Sequence, residues 1–198
     1  MSDLAGGSPR RRADAQRSVE RILDAALSLL AERPDVSMDL IARTAGVTRP
    51  TVYAHFPSRP DLIAAVVDRI TAEAVSAIDA AGLDELPAID GVLSLVEIGW
   101  QLFERYPGLL QIPGPTEDAR HDPIVERLAA IIDRGRRSGE IDRTLPARWL
   151  VAAVMALGHA AGEQVGAGRM SHAKALAALR TSLVRLLTEY APGRTGRA

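Results

Sequence analysis

Apolar residues recur at spacings of three and four along almost the whole chain, and no stretch keeps the period of two that a half-buried strand requires. Val19, Ile22, Leu23, Ala26 and Leu30 mark a first helix that ends near Arg33, just before Pro34. Leu40, Ile41, Ala45 and Val47 mark a short second helix, and Val52 and Phe56, at i and i+4, mark a third. A longer run through Leu62, Ile63, Val66, Val67, Ile70, Ala74, Val75 and Ile78 predicts a helix from about Arg59 to Ala81, stopped by Gly82. Past a linker over Leu83 to Gly91, further helices are predicted at Val92 to Tyr106, from Ile124 through Ile132, at Trp149 to Val165 and at Ser171 to Tyr190. The fold expected is all-α.

The last two helices differ from the others. Trp149 to Val165 is apolar almost all round, so it must be covered on more than one face. In the final helix Leu176, Leu179, Leu183, Leu186 and Tyr190 alternate three and four apart, the seam of a coiled-coil-like contact. Together they predict a four-helix bundle shared by two copies, with Val154, Leu157, Ala161, Leu176, Leu179, Leu183 and Leu186 at the interface.

The stretch Val36 to Asp61 carries the densest local signals. Ser37 is a good N-cap, with Asp39 in the first turn where a carboxylate favours the positive helix end. Gly46 follows Ala45 where the chain must turn sharply, Thr48 can cap the next helix, and Pro50 falls in its first turn, where a missing N–H costs nothing. Val52 and Phe56 then face inward, which leaves Arg49, Thr51, Tyr53 and His55 to project elsewhere. Two short helices around a glycine turn fit both a helix-turn-helix, whose second helix enters the DNA major groove, and a plain helical hairpin.

Charge sharpens that choice. The chain has a formal net charge of −1, so affinity for nucleic acid has to come from a local patch. Between Asp39 and Asp61 no acidic residue occurs, while Arg43, Arg49, His55 and Arg59 do. Arg10, Arg11 and Arg12 form a basic arm that either reaches a minor groove or is simply solvated. The absence of cysteine excludes disulfides and thiolate metal sites. With no apolar leader and no run long enough to cross a bilayer, a cytoplasmic protein without membrane contact is expected.

The string AGVTRPTVYAHFPSRPDLI resembles the signature of TetR-type transcriptional regulators, in its glycine turn, hydroxyl cap, Tyr-x-His-Phe and basic residue before the next helix. The resemblance covers Ser18 to Arg69 by motif and the rest by helical pattern. It implies an N-terminal three-helix DNA-binding domain (14–75, motif about 37–56) and a C-terminal helical ligand-binding and dimerisation domain (83–190), while Met1 to Pro9, rich in Gly, Ser and Pro without apolar periodicity, predicts a disordered arm (1–13), and a disordered tail (191–198) is expected. By position in the motif Ser37, Thr48, Arg49, Pro50, Thr51, Tyr53, His55 and Arg59 resemble the residues that meet DNA. Arg49 takes the place of a base reader and Arg59 that of a lysine that holds phosphate. Asp39 and Ala54 stand where the tetracycline repressor has a base-reading arginine and a tryptophan, so the operator sequence does not carry over.

The resemblance further implies a homodimer on an inverted-repeat DNA operator, released by a small-molecule effector that tilts the helix ending near Ala81. Trp100, Phe103 and Met155 are candidate apolar walls of the effector cavity, or plain core, and His121, His159 and Glu163 are candidate polar contacts. The segment Pro107 to Pro123, broken by Gly108, Pro113, Gly114 and Pro115, is either a mobile cover over that cavity or simple irregularity. His159 and Glu163 at i and i+4, with His121, also suit a divalent metal, which leaves a metal-dependent enzyme as one alternative. A DNA-binding protein without an effector is the other. No nucleophile, phosphate-loop or HExxH motif supports an enzyme, and no cofactor is expected.

Overall fold

The computed structural model describes residues 9–107 and 122–188, with side chains from residue 13 onward. It divides into two compact units, Met1–Ile70 with Tyr106–Ile112, and Thr71–Arg105 with Pro113–Ala198.

The N-terminal unit comprises α1 (Pro9–Glu32), α2 (Met38–Thr44), α3 (Arg49–His55) and the first part of α4 (Arg59–Ala80). Ile22, Ala26, Leu30, Ile41, Val52 and Val66 are fully buried in one core, the inward stripe that their spacing predicted. Each large aliphatic side chain withdrawn from water in this way contributes about 1.5 to 3 kcal/mol. An ion pair of 2.6 Å from Arg69 to Asp24 ties α4 to α1 at the rim. Tyr106, predicted to end the helix that starts at Val92, packs against this N-terminal core.

Residues 9–13, expected to belong to a disordered arm, are helical, because α1 begins at Pro9. Proline is preorganised for the first helical position, and the arginines and alanine that follow are good helix formers. Asp14 and Arg17, three apart, add an ion pair. Arg10, Arg11 and Arg12 therefore have helical backbone, and their side chains lie outside the described residues.

The C-terminal unit comprises the rest of α4, a short 3-10 turn (Leu83–Glu85), α5 (Ala88–Arg105), α6 (Asp122–Ser138), α7 (Ala147–Gly166) and α8 (His172–Leu187). Helix α5 packs on α6 and α8, and α7 lies against both α6 and α8. Helix α5 starts four residues before its predicted onset at Val92. Its start is a tertiary effect, since Glu140 accepts a hydrogen bond of 2.6 Å from the Ala88 N–H across 52 residues of chain. Gly135 allows α6 to approach closely, for a Cβ there would stand 2.5 Å from that of Ala88 and 2.7 Å from Ile141 Cδ1. Alanine would not fit without displacing the α5 start.

Ser171, expected as the first residue of the last helix, is the cap of α8, accepting from the Lys174 N–H at 3.4 Å. Three residues of the expected dimer seam are core. Val154, Leu179 and Leu183 are 2%, 3% and 0% exposed within a single chain, so they are already core and present nothing to a partner. Leu157, Ala161, Leu176 and Leu186 are half-buried against the same core. At Leu179 and Leu183 the heptad-like spacing follows the packing of α8 within the chain, whereas these four keep part of their surface open. Tyr190 lies outside the described residues. Among those described, no helix is long and apolar enough to cross a membrane.

Candidate nucleic-acid interface

Local sequence dictates how α2 and α3 meet. Ser37 Oγ accepts from the Leu40 N–H at 3.2 Å and so starts α2. Gly46 takes φ = 64°, a conformation that would strain any residue with a Cβ, and turns the chain. Thr48 then caps α3, its Oγ1 lying 3.4 Å from the Thr51 N–H and 2.7 Å from the Thr51 hydroxyl. Pro50 sits in the first turn. With Val52 and Phe56 buried beneath, the opposite face of α3 presents Thr48, Arg49, Pro50 and Tyr53, exposed, with Thr51 and His55 half-exposed at its edges. Tyr53 is among the large apolar side chains left open to solvent, at 37% exposure. Of the expected DNA contacts, these six share one surface. Ser37 is exposed at the start of α2, with its hydroxyl committed to the cap.

Two contacts change the picture drawn from sequence. The face of α3 is not free of negative charge. Arg49 Nη1 donates to Asp39 Oδ2 at 3.1 Å, and Nε lies 3.1 Å from Oδ1. The second contact is an ion-pair distance without hydrogen-bond geometry, since Oδ1 has no hydrogen-bond partner among the described residues. The same guanidinium carbon sits 5.4 Å from the centre of the Tyr53 ring, within cation–π range. Asp39 was legible only as a first-turn helix charge, because nothing in a spacing of ten residues across a turn reveals the pairing.

Arg59 also differs from expectation. Its Nη1 and Nη2 donate to the carbonyls of Val36 and Pro34, so the part-buried guanidinium fastens the α1–α2 connection to the start of α4. Next to it, Ser58 and Asp61 form a reciprocal cap: Asp61 Oδ2 accepts from the Ser58 N–H at 2.9 Å and from its hydroxyl at 2.6 Å, and Ser58 Oγ accepts from the Asp61 N–H at 3.3 Å.

Of the residues suggested for an effector, the five that are described fall within the C-terminal unit. Trp100 is 4% exposed, and Phe103, Met155 and His159 are half-buried. Trp100 and Phe103 stack edge to face, with centroids 6.4 Å apart. Glu163 is exposed on α7, and His121 lies outside the described residues. Instead His172 from α8 reaches Trp100, ring centres 6.0 Å apart, and its Nδ1 lies 3.3 Å from Glu104 Oε1. These two groups, 68 residues apart, gave no sequence signal. The Trp100 indole N–H is buried and has no hydrogen-bond partner among the described residues. Two surface grooves, of about 420 and 360 Å³, lie elsewhere, one lined by Asp133, Arg136, Arg137 and Arg143 and one by residues around Arg180 and Val184.

Comparison with known proteins singles out the same segment. Residues 22–66, the segment holding α2 and α3, match the family model described as bacterial regulatory proteins, tetR family. Over 166 residues the chain is 31% identical to the HTH-type transcriptional regulator EthR of Mycobacterium tuberculosis, covering 74% of this chain and 76% of that one. Among solved structures, the TetR-like regulator LfrR from Mycobacterium smegmatis, in complex with proflavine, is similar with a TM-score of 0.62 at 24% identity, over 88% of this chain and 98% of that one. FadR from Bacillus subtilis, in complex with stearoyl-CoA, gives a TM-score of 0.68 at 20% identity, over 84% and 96%.

Proposed function

The chain belongs to the tetR family of bacterial regulatory proteins, and from that membership we propose how it works. Two copies bind an inverted-repeat operator through α3, repress from it, and leave it when a small, largely apolar molecule binds the C-terminal unit. That it is a sequence-specific DNA-binding transcriptional regulator follows from the family. The cytoplasm is where it acts, and no catalytic step is assigned to it.

One observation carries the DNA contact. Helix α3 buries Val52 beneath Arg49, Thr51, Tyr53 and His55, which its own fold leaves available on one surface. A two-fold dimer would place two such helices about 34 to 36 Å apart or a multiple of it. Arg49 is the base reader, since a guanidinium can donate to guanine O6 and N7 together.

The dimer surface fits the outward side of α7 and α8. There Trp149 is 58% exposed and Val184 38%, with Ala152, Ala156 and Ala160 on α7 and Ala173 and Ala177 on α8 exposed alongside. Small residues let helices approach closely, and a large indole left in water gains by being covered. For the effector, the support is Trp100, whose buried indole N–H has no acceptor among the described residues; a donor left so costs about 1 to 3 kcal/mol, which a ligand's acceptor would relieve. The complexes of LfrR with proflavine and FadR with stearoyl-CoA favour a ligand with a large apolar part. Such a ligand shifts operator affinity only if it binds the released state more tightly.

The test is a duplex selected by the wild-type protein from a random library. Arg49→Ala should lose about 1 to 3 kcal/mol on it, through one base position in each half-site. Equal loss against every base at every position would overturn the assignment. With Trp149→Phe in place, so that Trp100 alone fluoresces, a compound that releases the duplex should also change the Trp100 emission.

A further inference from the structure

We propose that Asp39 is a positioning residue for base recognition: its carboxylate holds the Arg49 guanidinium in reading position and makes binding to unrelated DNA less favourable. The inference rests on the assignment of Arg49 as base reader and goes beyond it. An acidic side chain on a DNA-facing surface is a handicap for every sequence alike, because it repels phosphate and must be desolvated. Here it lies against the residue best suited to read a base.

The geometry shows what the contact does to Arg49. Asp39 Oδ2 accepts from Nη1 at 3.1 Å, Oδ1 stands 3.1 Å from Nε, and the Tyr53 ring lies 5.4 Å from the guanidinium carbon. A free arginine side chain samples many rotamers, and its ordering costs free energy at the moment of binding. Held between a carboxylate from α2 and an aromatic ring from α3, the guanidinium is ordered beforehand, and both N–H groups of Nη2 stay unused by Asp39. An exposed ion pair of this kind adds little to folding, with the two side chains 61% and 46% exposed, so stability gives no account of it. In the presence of guanine the pair keeps its charge balance and gains the base. Against any other base the arginine must either break from Asp39 or leave its donors unmatched. Discrimination follows from the combination of an attraction and a repulsion.

The experiment uses the full-length protein and the duplex it selects from a random library, with dissociation constants measured at one fixed salt concentration. Four proteins are compared: wild type, Arg49→Ala, Asp39→Ala and Asp39→Asn. Each is titrated against the selected duplex, its single-base variants and an unrelated duplex. Wild type should prefer guanine at the Arg49 position by about 5- to 150-fold. Asp39→Ala should reduce that preference to within about 3-fold at the same base pair and bind the unrelated duplex more tightly than wild type. Asp39→Asn keeps an oxygen for Arg49 but no charge, so it should retain more of the preference than alanine while also binding the unrelated duplex more tightly. Helix content by circular dichroism should stay the same in all four. If Arg49→Ala abolishes the preference and both Asp39 variants keep it at the wild-type level, Asp39 is only a helix-terminal charge and the inference fails while Arg49 stands. If the Asp39 variants lose preference at a different base pair, Asp39 reads its own base and the positioning role is overturned. If Arg49→Ala changes no single position, the reading of Arg49 itself is wrong.

Discussion

The guanidinium of Arg59 points into the protein, at the carbonyls of Val36 and Pro34. Those two carbonyls belong to the connection between α1 and α2, which makes no regular hydrogen-bond ladder of its own. A charged donor to such groups contributes about 1.5 to 3 kcal/mol, so Arg59→Ala should lower the stability of the N-terminal unit by roughly that amount. Urea denaturation followed by helix signal measures it. An unchanged midpoint, with affinity for every duplex reduced alike, would return Arg59 to the phosphate-holding role that its place in the motif suggests. Thr48 and Gly46 are different in kind, because their roles are local. A hydroxyl one residue before a helix and a glycine at φ = 64° can be read from neighbours alone.

Among the elements, α2, α3, α4 and α8 were legible to within one to three residues because each has its own start signal in sequence: Ser37, Thr48, Ser58 and Ser171. The start of α5 was not, since its cap is Glu140 and Gly91 in its first turn weakens any local signal. The partnership of Asp39 with Arg49 and of His172 with Trp100 was hidden for the same reason, as contacts between helices leave no spacing behind. The α8 heptad was visible but ambiguous: a stripe of leucines says that a face is covered, not whether the cover is the same chain or another. Glu140 offers a check on the tertiary cap. The Ser138 hydroxyl and then the Ala88 N–H hold its carboxyl below the ordinary value of 4.5. Asp142 is likewise lowered, first by the Thr144 hydroxyl and then by the Thr144 N–H. A depressed folded value means that the unfolded chain binds the proton first. The stabilisation is therefore complete above the ordinary value and is lost as pH falls through the folded one. Thermal melts of wild type should accordingly fall off below about pH 4.5, and Glu140→Gln should be less stable near neutrality with a shallower acid limb. An acid limb as steep in Glu140→Gln as in wild type would count against the cap.

At the level of the whole molecule, the account requires two copies. The chain keeps Trp149 and a row of alanines on the outward side of α7 and α8, although Leu150, Val154, Leu179 and Leu183 on the same helices are buried. Placing a carboxylate in that row leaves the single chain's packing untouched, so Ala156→Glu should fold with stability within about 0.5 kcal/mol of a monomeric reference. In a dimer it would bury a charge from each copy. Light scattering at micromolar concentration should show twice the chain mass for wild type and the single mass for Ala156→Glu. A wild-type monomer would contradict the account, and a dimer unaffected by the substitution would move the interface elsewhere.

The central claim is that two α3 helices, held at a fixed separation, read an inverted repeat. It is tested most directly by changing the separation of the half-sites in the duplex the protein selects. Inserting about five base pairs, half a helical turn, turns one half-site to the opposite side of the DNA, whereas inserting about ten restores its direction at a greater distance. The account predicts that the selected duplex binds two chains, that the five-pair insertion reduces affinity to that for an unrelated duplex, and that Arg49→Ala weakens the original. Binding that is indifferent to the insertion, with one chain per half-site and no dependence on spacing, would contradict it.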